Sequence, residues 1–505
     1  MNHKLNTIAL LGLSGLGISV GIAEASAQTK PNVIIVISDD QGYGDLSCTG
    51  NPWLKTPNID KLYGQSTRLT DFHVSPCCAP TRASLLTGHY TNRTGCWHTV
   101  GGRSLLRESE TIIPEVLAEN GWSTGMFGKW HLGDNFPFRP EDRGFEEALY
   151  LKGGGVGQLP DYWNNDYFND TYFRSSKPEK HDGYCTDVWF DEAMKFMKEQ
   201  NKSKKPFFTY LSTNAPHGPY YVANQYSDPY QNIDGVVNPY YYGMIANLDE
   251  NMGKLLLFLD HEGIAENTIL IFLTDNGAAN GSGFGFEKGT QFVTKGYNAG
   301  MRGGKISEYE GGHRVPFFIR WPNGNIEAGK DITDLTSHID VFPTLLDLLN
   351  IPTPDSVKFD GISLKYRLTG QSNRETVRSI VTDNQRIEYP EKWKNSSVMN
   401  QKWRLINGKE LYDIATDQEQ RHNVAAKHPG IVAKLTADYN SWWDDIKPSF
   451  EEYPAIAICP EQEPLTVINA MDMHPDVDNT PVPWNQVHVR NVVRNTGWVA
   501  VNVLA

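Results

Sequence analysis

Short apolar runs, each closed by polar or charged residues, recur along the first three quarters of the chain. Residues 32–38 (NVIIVIS), 122–133 (WSTGMFGKWHLG), 206–212 (PFFTYLS) and 267–277 (NTILIFLTDNG) have this form. NVIIVIS is continuously apolar, as a strand buried on both faces of a parallel sheet must be. A further strand is predicted over 68–74. Between these runs the apolar positions follow a helical period, predicting helices over 57–66, 80–88, 111–120, 186–200, 239–262 and 337–349. Strand and helix alternate, and polar residues recur at the strands' carboxyl ends. The pattern predicts an α/β fold: a large mixed, mostly parallel sheet sandwiched by helices, with its site along one sheet edge.

The pattern changes near residue 375. RSIVTDN, SVMNQKWRLING and KELYDIA are short strand-like runs separated by turn signals, which predict a smaller antiparallel sheet. A helix over roughly 428–445 would cover it. The tail from residue 446 carries no clear element. At the other end, Lys4, an apolar run from Ile8 to Ile22 and the small-x-small triplet Ala25-Ser26-Ala27 read as a signal peptide. The run is short for a membrane span, and no stable span is expected elsewhere. The domain reading is therefore 1–27 signal peptide, 28–374 catalytic domain and 375–505 C-terminal subdomain. The mature protein is expected to be exported, periplasmic or secreted.

At 505 residues the chain can bury a large core. A net charge of −14 argues against nucleic acid or an anionic membrane surface as partner. It also means that any anion site must be built from locally concentrated cations. Six cysteines in an exported chain this long, odd in number once Cys78 is set aside, give no complete disulfide framework.

Candidate chemistry collects at the strand ends. Asp39-Asp40 follow the first strand and Asp275-Asn276 another. Two strand ends offering oxygen ligands without cysteine suit a hard cation such as calcium or magnesium. Residues 75–90, SPCCAPTRASLLTGHY, place Cys78 at the start of a helix, where backbone N–H groups and a partial positive charge favour an anion. Arg82 follows one turn later; a thiol beside a fixed cation is a candidate nucleophile. Lys129 and His131 are spaced to share one face of a strand end. His217 stands before a Pro-Gly turn as a candidate acid or base, and Lys305 sits on a glycine-rich loop within reach of an anion. His98 and Arg103 lie on a polar loop just after the nucleophile helix and are read as substrate-binding. His338 and Asp340 are read as structural. The aromatic stretch 134–186 is read mainly as packing.

The string Cys78-x-Pro80-Thr81-Arg82-x-x-x-Leu86-Thr87-Gly88 resembles the signature of the type I, formylglycine-dependent sulfatases of the alkaline phosphatase superfamily. GKWHLG, APHGPY, TDNG, RGGKISEYEGGHRVP and ELYDIATD follow in family order. Thr81 where serine is frequent, Cys77 before the modified position and His313 in the glycine turn are small departures. The resemblance implies an arylsulfatase- or glycan-sulfatase-type hydrolase of sulfate esters, with sulfated sugars or aryl sulfates as substrates. It implies that Cys78 is oxidised to formylglycine by a maturation enzyme. It implies one Ca²⁺ per chain, held by Asp39, Asp40, residue 78, Asp275 and Asn276. Arg82 would orient the hydrated aldehyde, and Lys129, His131, His217 and Lys305 would bind sulfate oxygens, with His217 protonating the leaving oxygen. A two-zinc phosphatase or phosphodiesterase of the same superfamily is disfavoured, because Asn276 stands where zinc members tend to carry histidine. A non-enzymatic binder of sulfated glycans is disfavoured by the intact set of acid, base and nucleophile residues.

Overall fold

The computed structural model describes residues 30–372, 376–383 and 385–473. The expected signal peptide and the end of the tail lie outside the described residues. The first strands are β1 (Asn32–Ser38), β2 (Thr67–His73), β3 (Ser123–Lys129), β4 (Glu147–Leu151), β5 (Thr171–Arg174), β6 (Lys177–Lys180), β7 (Phe207–Ser212) and β8 (Thr268–Thr274). A hairpin, β9 (Phe284–Phe286) and β10 (Val293–Gly296), precedes β11 (Phe317–Arg320) and β12 (Asp331–Ser337). All but the hairpin join one 10-stranded sheet in the order β12-β2-β11-β8-β1-β7-β3-β4-β5-β6.

β8, β1, β7, β3 and β4 run parallel, side by side. β11 is antiparallel to both β8 and β2, so β2 points the same way as the central strands. The carboxyl ends of β2, β8, β1, β7 and β3 therefore open on one edge. Along β1 the side chains alternate between two apolar layers: Val33, Ile35 and Ile37 enter one, Ile34 and Val36 the other. Helices Cys78–Thr87, Ile113–Glu119 and Val341–Leu349 pack in the first layer. Helices Pro57–Gln65, Cys185–Lys202 and Pro239–His261 pack in the second. The expected mixed, mostly parallel sheet between helices is present.

The smaller sheet is also present: β13 (Ile380–Asp383), β14 (Ser396–Met399), β15 (Trp403–Ile406) and β16 (Glu410–Asp413), all antiparallel. Helix Pro429–Ile446 covers it, packing Leu435, Tyr439 and Trp443 near Val398, Leu405 and Leu411. Arg404 on β15 bridges the two sheets, at 2.9 Å from Asp71 of β2 and 2.7 Å from Glu310. The cysteines are all free, so the core and such buried pairs carry the fold. Among the described residues no helix is long and apolar enough to cross a membrane.

Candidate active site

The nucleophile candidate is placed by a strand-to-helix turn. β2 ends at His73, and Cys77, with extended backbone (φ −155°), caps the helix that Cys78 begins. Thr81 Oγ1 donates to the Ser75 carbonyl at 2.8 Å and Ile306 N–H to the Pro76 carbonyl at 2.8 Å, which hold the turn in place. Cys78 is buried, yet it lines a narrow cavity together with Cys77, His131, His217 and Lys305. The thiol hydrogen bond from Cys77 holds the Cys78 thiol well below its ordinary value against the opposing effect of burial, with Lys129 and His131 adding to it. Cys77 is pushed the other way, by that bond and by burial. Two adjacent cysteines therefore have opposite character.

Asp39 and Asp40 would face opposite sides if β1 continued. It does not: β1 stops at Ser38 and Asp40 takes a left-handed φ of +60°, and ligand atoms of both carboxylates lie in one group with His217. Its N–H donates to Asp275 Oδ1 at 3.0 Å, tying the two strand ends together. Asn276 Nδ2 donates to Asp40 Oδ1 at 2.8 Å. Arg82, fully buried, donates from Nη2 to Asp275 at 2.8 Å and from Nη1 to the Lys129 carbonyl and Ser212 hydroxyl. Lys129 Nζ lies 2.7 Å from Asp39, and Lys305 Nζ 2.6 Å from Asp40. Local cations thus sit inside an acidic chain, as the charge balance demanded.

The oxygen donors fit a hard cation. One ligand atom each from Asp39, Cys78 and Asp275 lie within 4.8 Å of one another. Asp39 Oδ1 and Asn276 Oδ1 are buried without a hydrogen-bond partner. Burial and then the charge of Asp39 push Asp275 up to about 7. A crowd of buried carboxyls with orphaned oxygens is the environment that a divalent ion relieves.

The two histidines differ in the nitrogen that each turns toward the site. His131 Nε2 donates to the Thr99 carbonyl at 3.1 Å, leaving a buried, unpartnered Nδ1. His217 Nδ1 donates to the Gly218 carbonyl at 2.6 Å, so Nε2 faces the site, 3.7 Å from Asp40. Burial lowers both, His217 to about 4. β3 stops at Lys129, and His131 reaches the cavity through a left-handed φ of +61° rather than along a strand face, while the intervening Trp130 enters the core. A side chain at Gly154 would come within 2.7 Å of the His131 ring, so this turn has room only for glycine.

The loop after the nucleophile helix does meet the cavity, but through Thr99 and Val100. Arg103, expected at the substrate, is not brought there. It is fully buried, 3.0 Å from Glu388, donates to the Phe450 and Glu452 carbonyls and lies between the Trp97 and Tyr453 rings. His98 is likewise buried and spends Nδ1 on the N–H groups of Thr99 and Val100, which shapes the loop. Arg103→Ala is therefore expected to destabilise the fold by about 3–5 kcal/mol, the cost of removing one partner of a buried ion pair. A denaturation midpoint would show it; unchanged stability with a loss in kcat/KM would return Arg103 to the substrate. His338, bonded to Ser75, and Asp340, paired with Arg378, brace the fold.

Gln158, Arg386 and Met471 also line the cavity, and none was signalled by a motif. Gln158, His217, Lys305 and Arg386 continue into an open cleft of about 910 Å³ that includes Tyr220, Phe286 and Lys288.

The Sulfatase family pattern matches residues 31–351. The chain belongs to the sulfatase family. A second pattern, N-sulphoglucosamine sulphohydrolase, C-terminal, matches residues 304–441 of this sulfatase. N-acetylgalactosamine-6-sulfatase of Canis lupus familiaris is 31% identical over 382 residues, covering 70% of this chain and 68% of that protein. Arylsulfatase A of Homo sapiens is 32% identical over 396 residues, covering 72% of each. The crystal structure of Ps i-CgsB in complex with k-i-k-neocarrahexaose superposes with a TM-score of 0.74 at 28% identity, covering 83% of this chain and 94% of that one. This sulfatase is a sulfuric ester hydrolase of the alkaline phosphatase superfamily.

Proposed function

We propose that this protein is exported and hydrolyses sulfate esters of carbohydrates, with aryl sulfates as further substrates. Cys78 is matured to formylglycine by a dedicated enzyme, and one calcium ion is bound. The observation that carries the reading is the meeting of Cys78, two strand ends of acids, His131, His217 and Lys305 at one cavity. Asp39, Asp40, Asp275 and Asn276, with an oxygen of the matured residue, would hold the ion, which supplies charge that activates an oxygen nucleophile. Matured to formylglycine and hydrated, residue 78 would offer two hydroxyls, a nucleophilic oxygen for sulfur and a second, ionisable hydroxyl that would let sulfate leave.

The chain's own groups have separable tasks. Arg82 is rigid and buried behind residue 78, where it orients the reacting oxygens. Lys129 and Lys305 hold sulfate oxygens and stabilise charge on the transferring group. The bare Nδ1 of His131 can take a proton. His217 Nε2 faces the cavity, and an anionic ester beside it favours the imidazolium needed to protonate the leaving oxygen. The cleft is large for a phenyl ring but suits several sugar units; Phe286 and Tyr220 offer stacking faces and Lys288 a cation. Residues 28–374 carry the chemistry, and the C-terminal part from 375 adds Arg386 to the cleft.

His217→Ala is expected to cost sugar sulfates far more in kcat/KM than nitrophenyl sulfate, because nitrophenolate leaves without a proton. Equal losses on both would move the acid role to Lys305. A screen of sulfated mono- and oligosaccharides on matured enzyme tests the function itself, and a preference for phosphate diesters would refute it.

A further inference from the structure

His313, in the glycine turn of the Lys305 loop, is fully buried but does not line the cavity. It meets His73, the last residue of β2, with the two Nδ1 atoms 2.8 Å apart. The other ring nitrogens locate the protons. His313 Nε2 lies 3.2 Å from the Glu308 carbonyl, which only accepts, so this nitrogen carries a hydrogen. His73 Nε2 lies 2.9 Å from Asp71 Oδ1. Burial pushes the Asp71 carboxyl up, but Arg404, 2.9 Å away, and then His73 outweigh it and hold it well below the usual carboxylate range. Arg404 Nη2 stands farther from His73 Nε2, at 3.4 Å, than the ionised Asp71, which accepts at 2.9 Å, so His73 Nε2 also carries a hydrogen.

Two neutral rings protonated on their outer nitrogens would point bare lone pairs at each other across 2.8 Å. A positive charge must lie between them. Two nitrogens on one tetrahedral zinc, each about 2.0–2.1 Å from it, stand about 3.3 Å apart. The observed separation is shorter, and it is that of an N–H···N hydrogen bond. Glu310, the third donor of the cluster, is already paired with Arg404 at 2.7 Å and Arg314 at 3.4 Å.

We infer that His73 is held as a buried imidazolium whose hydrogen bond to His313 positions the loop that carries Lys305. Burial, followed by the charge of His73, pushes His313 down to about 3, so His313 is the acceptor of the pair. The consequences reach the cavity through short backbone links. The His313 carbonyl accepts Val74 N–H at 2.8 Å, on the segment leading to Cys78. The Gly312 carbonyl accepts Gly277 N–H at 3.0 Å, on the segment leaving Asn276, and Lys305 N–H donates to Ala278 at 2.9 Å. A Cβ on Gly277 would come within 1.8 Å of the Gly311 carbonyl, so this contact has no slack. The charged and titratable groups around the pair are Asp71 on β2, Glu310 and Arg314 on the turn, Arg404 on β15, and His338 after β12. Burial and His73 push His338 down to about 3. Without that hydrogen, two acceptors would stand face to face across 2.8 Å and the turn would lose its link to β2.

The inference rests on Lys305 as a sulfate-binding group, and the test separates the two. In ¹⁵N-histidine-labelled protein at neutral pH, His73 is expected to show hydrogens on both ring nitrogens and His313 on Nε2 alone. A bare ring nitrogen on His73, or zinc retained on the pair, would overturn the proposal whatever Lys305 does. H73N keeps a donor near the Nδ1 position that cannot titrate. It is expected to retain most of kcat/KM. H73F, which has no donor, is expected to lose about tenfold to a hundredfold. H73F/K305A should be no worse than K305A, because the two act through one loop. If K305A is itself silent, the sulfate assignment fails while the ring-nitrogen result still stands. A folded H73N that loses as much kcat/KM as is expected of H73F would sink the positioning role even if H73F does not fold.

Discussion

Cys78→Ala is expected to abolish sulfate ester hydrolysis, a loss of about 10⁴–10⁶-fold by comparison with other deleted nucleophiles, whereas Cys77→Ala keeps most activity. The two side chains have the same chemistry and stand one residue apart. They differ in setting: Cys78 begins a buried helix of ten residues and shares a cluster with Asp39 and Asp275, while Cys77 caps the helix and serves as donor to its neighbour. A thiolate attacking sulfur would end as a stable adduct, because nothing on the sulfur atom can expel sulfate. An aldehyde hydrate has a second hydroxyl for that purpose, and His131 holds a bare nitrogen in the same cavity to take its proton. Peptide mass spectrometry of active protein should find formylglycine at 78 and an unmodified side chain at 77. An intact thiol at 78 in fully active enzyme would overturn the mechanism.

Stripping divalent cations is expected to abolish turnover with modest loss of fold, and calcium should restore it. The acids have countercharges of their own, Lys129 on Asp39, Lys305 on Asp40 and Arg82 on Asp275, so the buried carboxylates are not abandoned when the ion leaves. The same pairs explain the functional cost: a lysine held by an aspartate is not holding a sulfate oxygen. Asp275→Asn should weaken calcium binding in a titration followed by calorimetry, because it removes a negative donor while keeping its shape. Two zinc ions per chain in active protein would refute the single hard-cation site.

Much of the scaffold was legible because the central strands are buried on both faces. β1 and β8 are apolar at nearly every position, and a seven-residue run of that kind has few alternatives. The strands that were not read are short or polar: β6 is the largely exposed Lys177–Lys180, and the β9–β10 hairpin has no apolar alternation to mark it. The predicted strands at 122–133 and 267–277 end earlier, at Lys129 and Thr274, since the chain leaves the sheet there: His131 turns to the cavity, and Asp275 turns to Asp40 N–H and Arg82. The loop after the nucleophile helix was expected at the site and is there. Its polar residues were expected to face the substrate, yet Arg103 found Glu388 and carbonyl partners in the C-terminal part, hundreds of residues away in sequence.

By itself the sequence determined the family, the sheet with its polar edge, and the inventory of nucleophile, acids, cations and histidines. Each of these is written in local spacing: a helix start after a strand, an acid pair after an apolar run, a fixed motif. What only the tertiary structure decided are the relations between distant segments. They include which nitrogen of His131 and of His217 is turned toward the site, the left-handed turns at Asp40 and His131 that aim them inward, the burial of Arg103, the arrival of Arg386 beside Thr99 with a contact at 3.4 Å, and the meeting of His73 with His313. A hydrogen bond or ion pair between residues more than two hundred positions apart leaves no periodicity in either segment. Its partner is chosen when the sheets dock, because a buried polar group must then take whatever acceptor or charge the opposing surface presents.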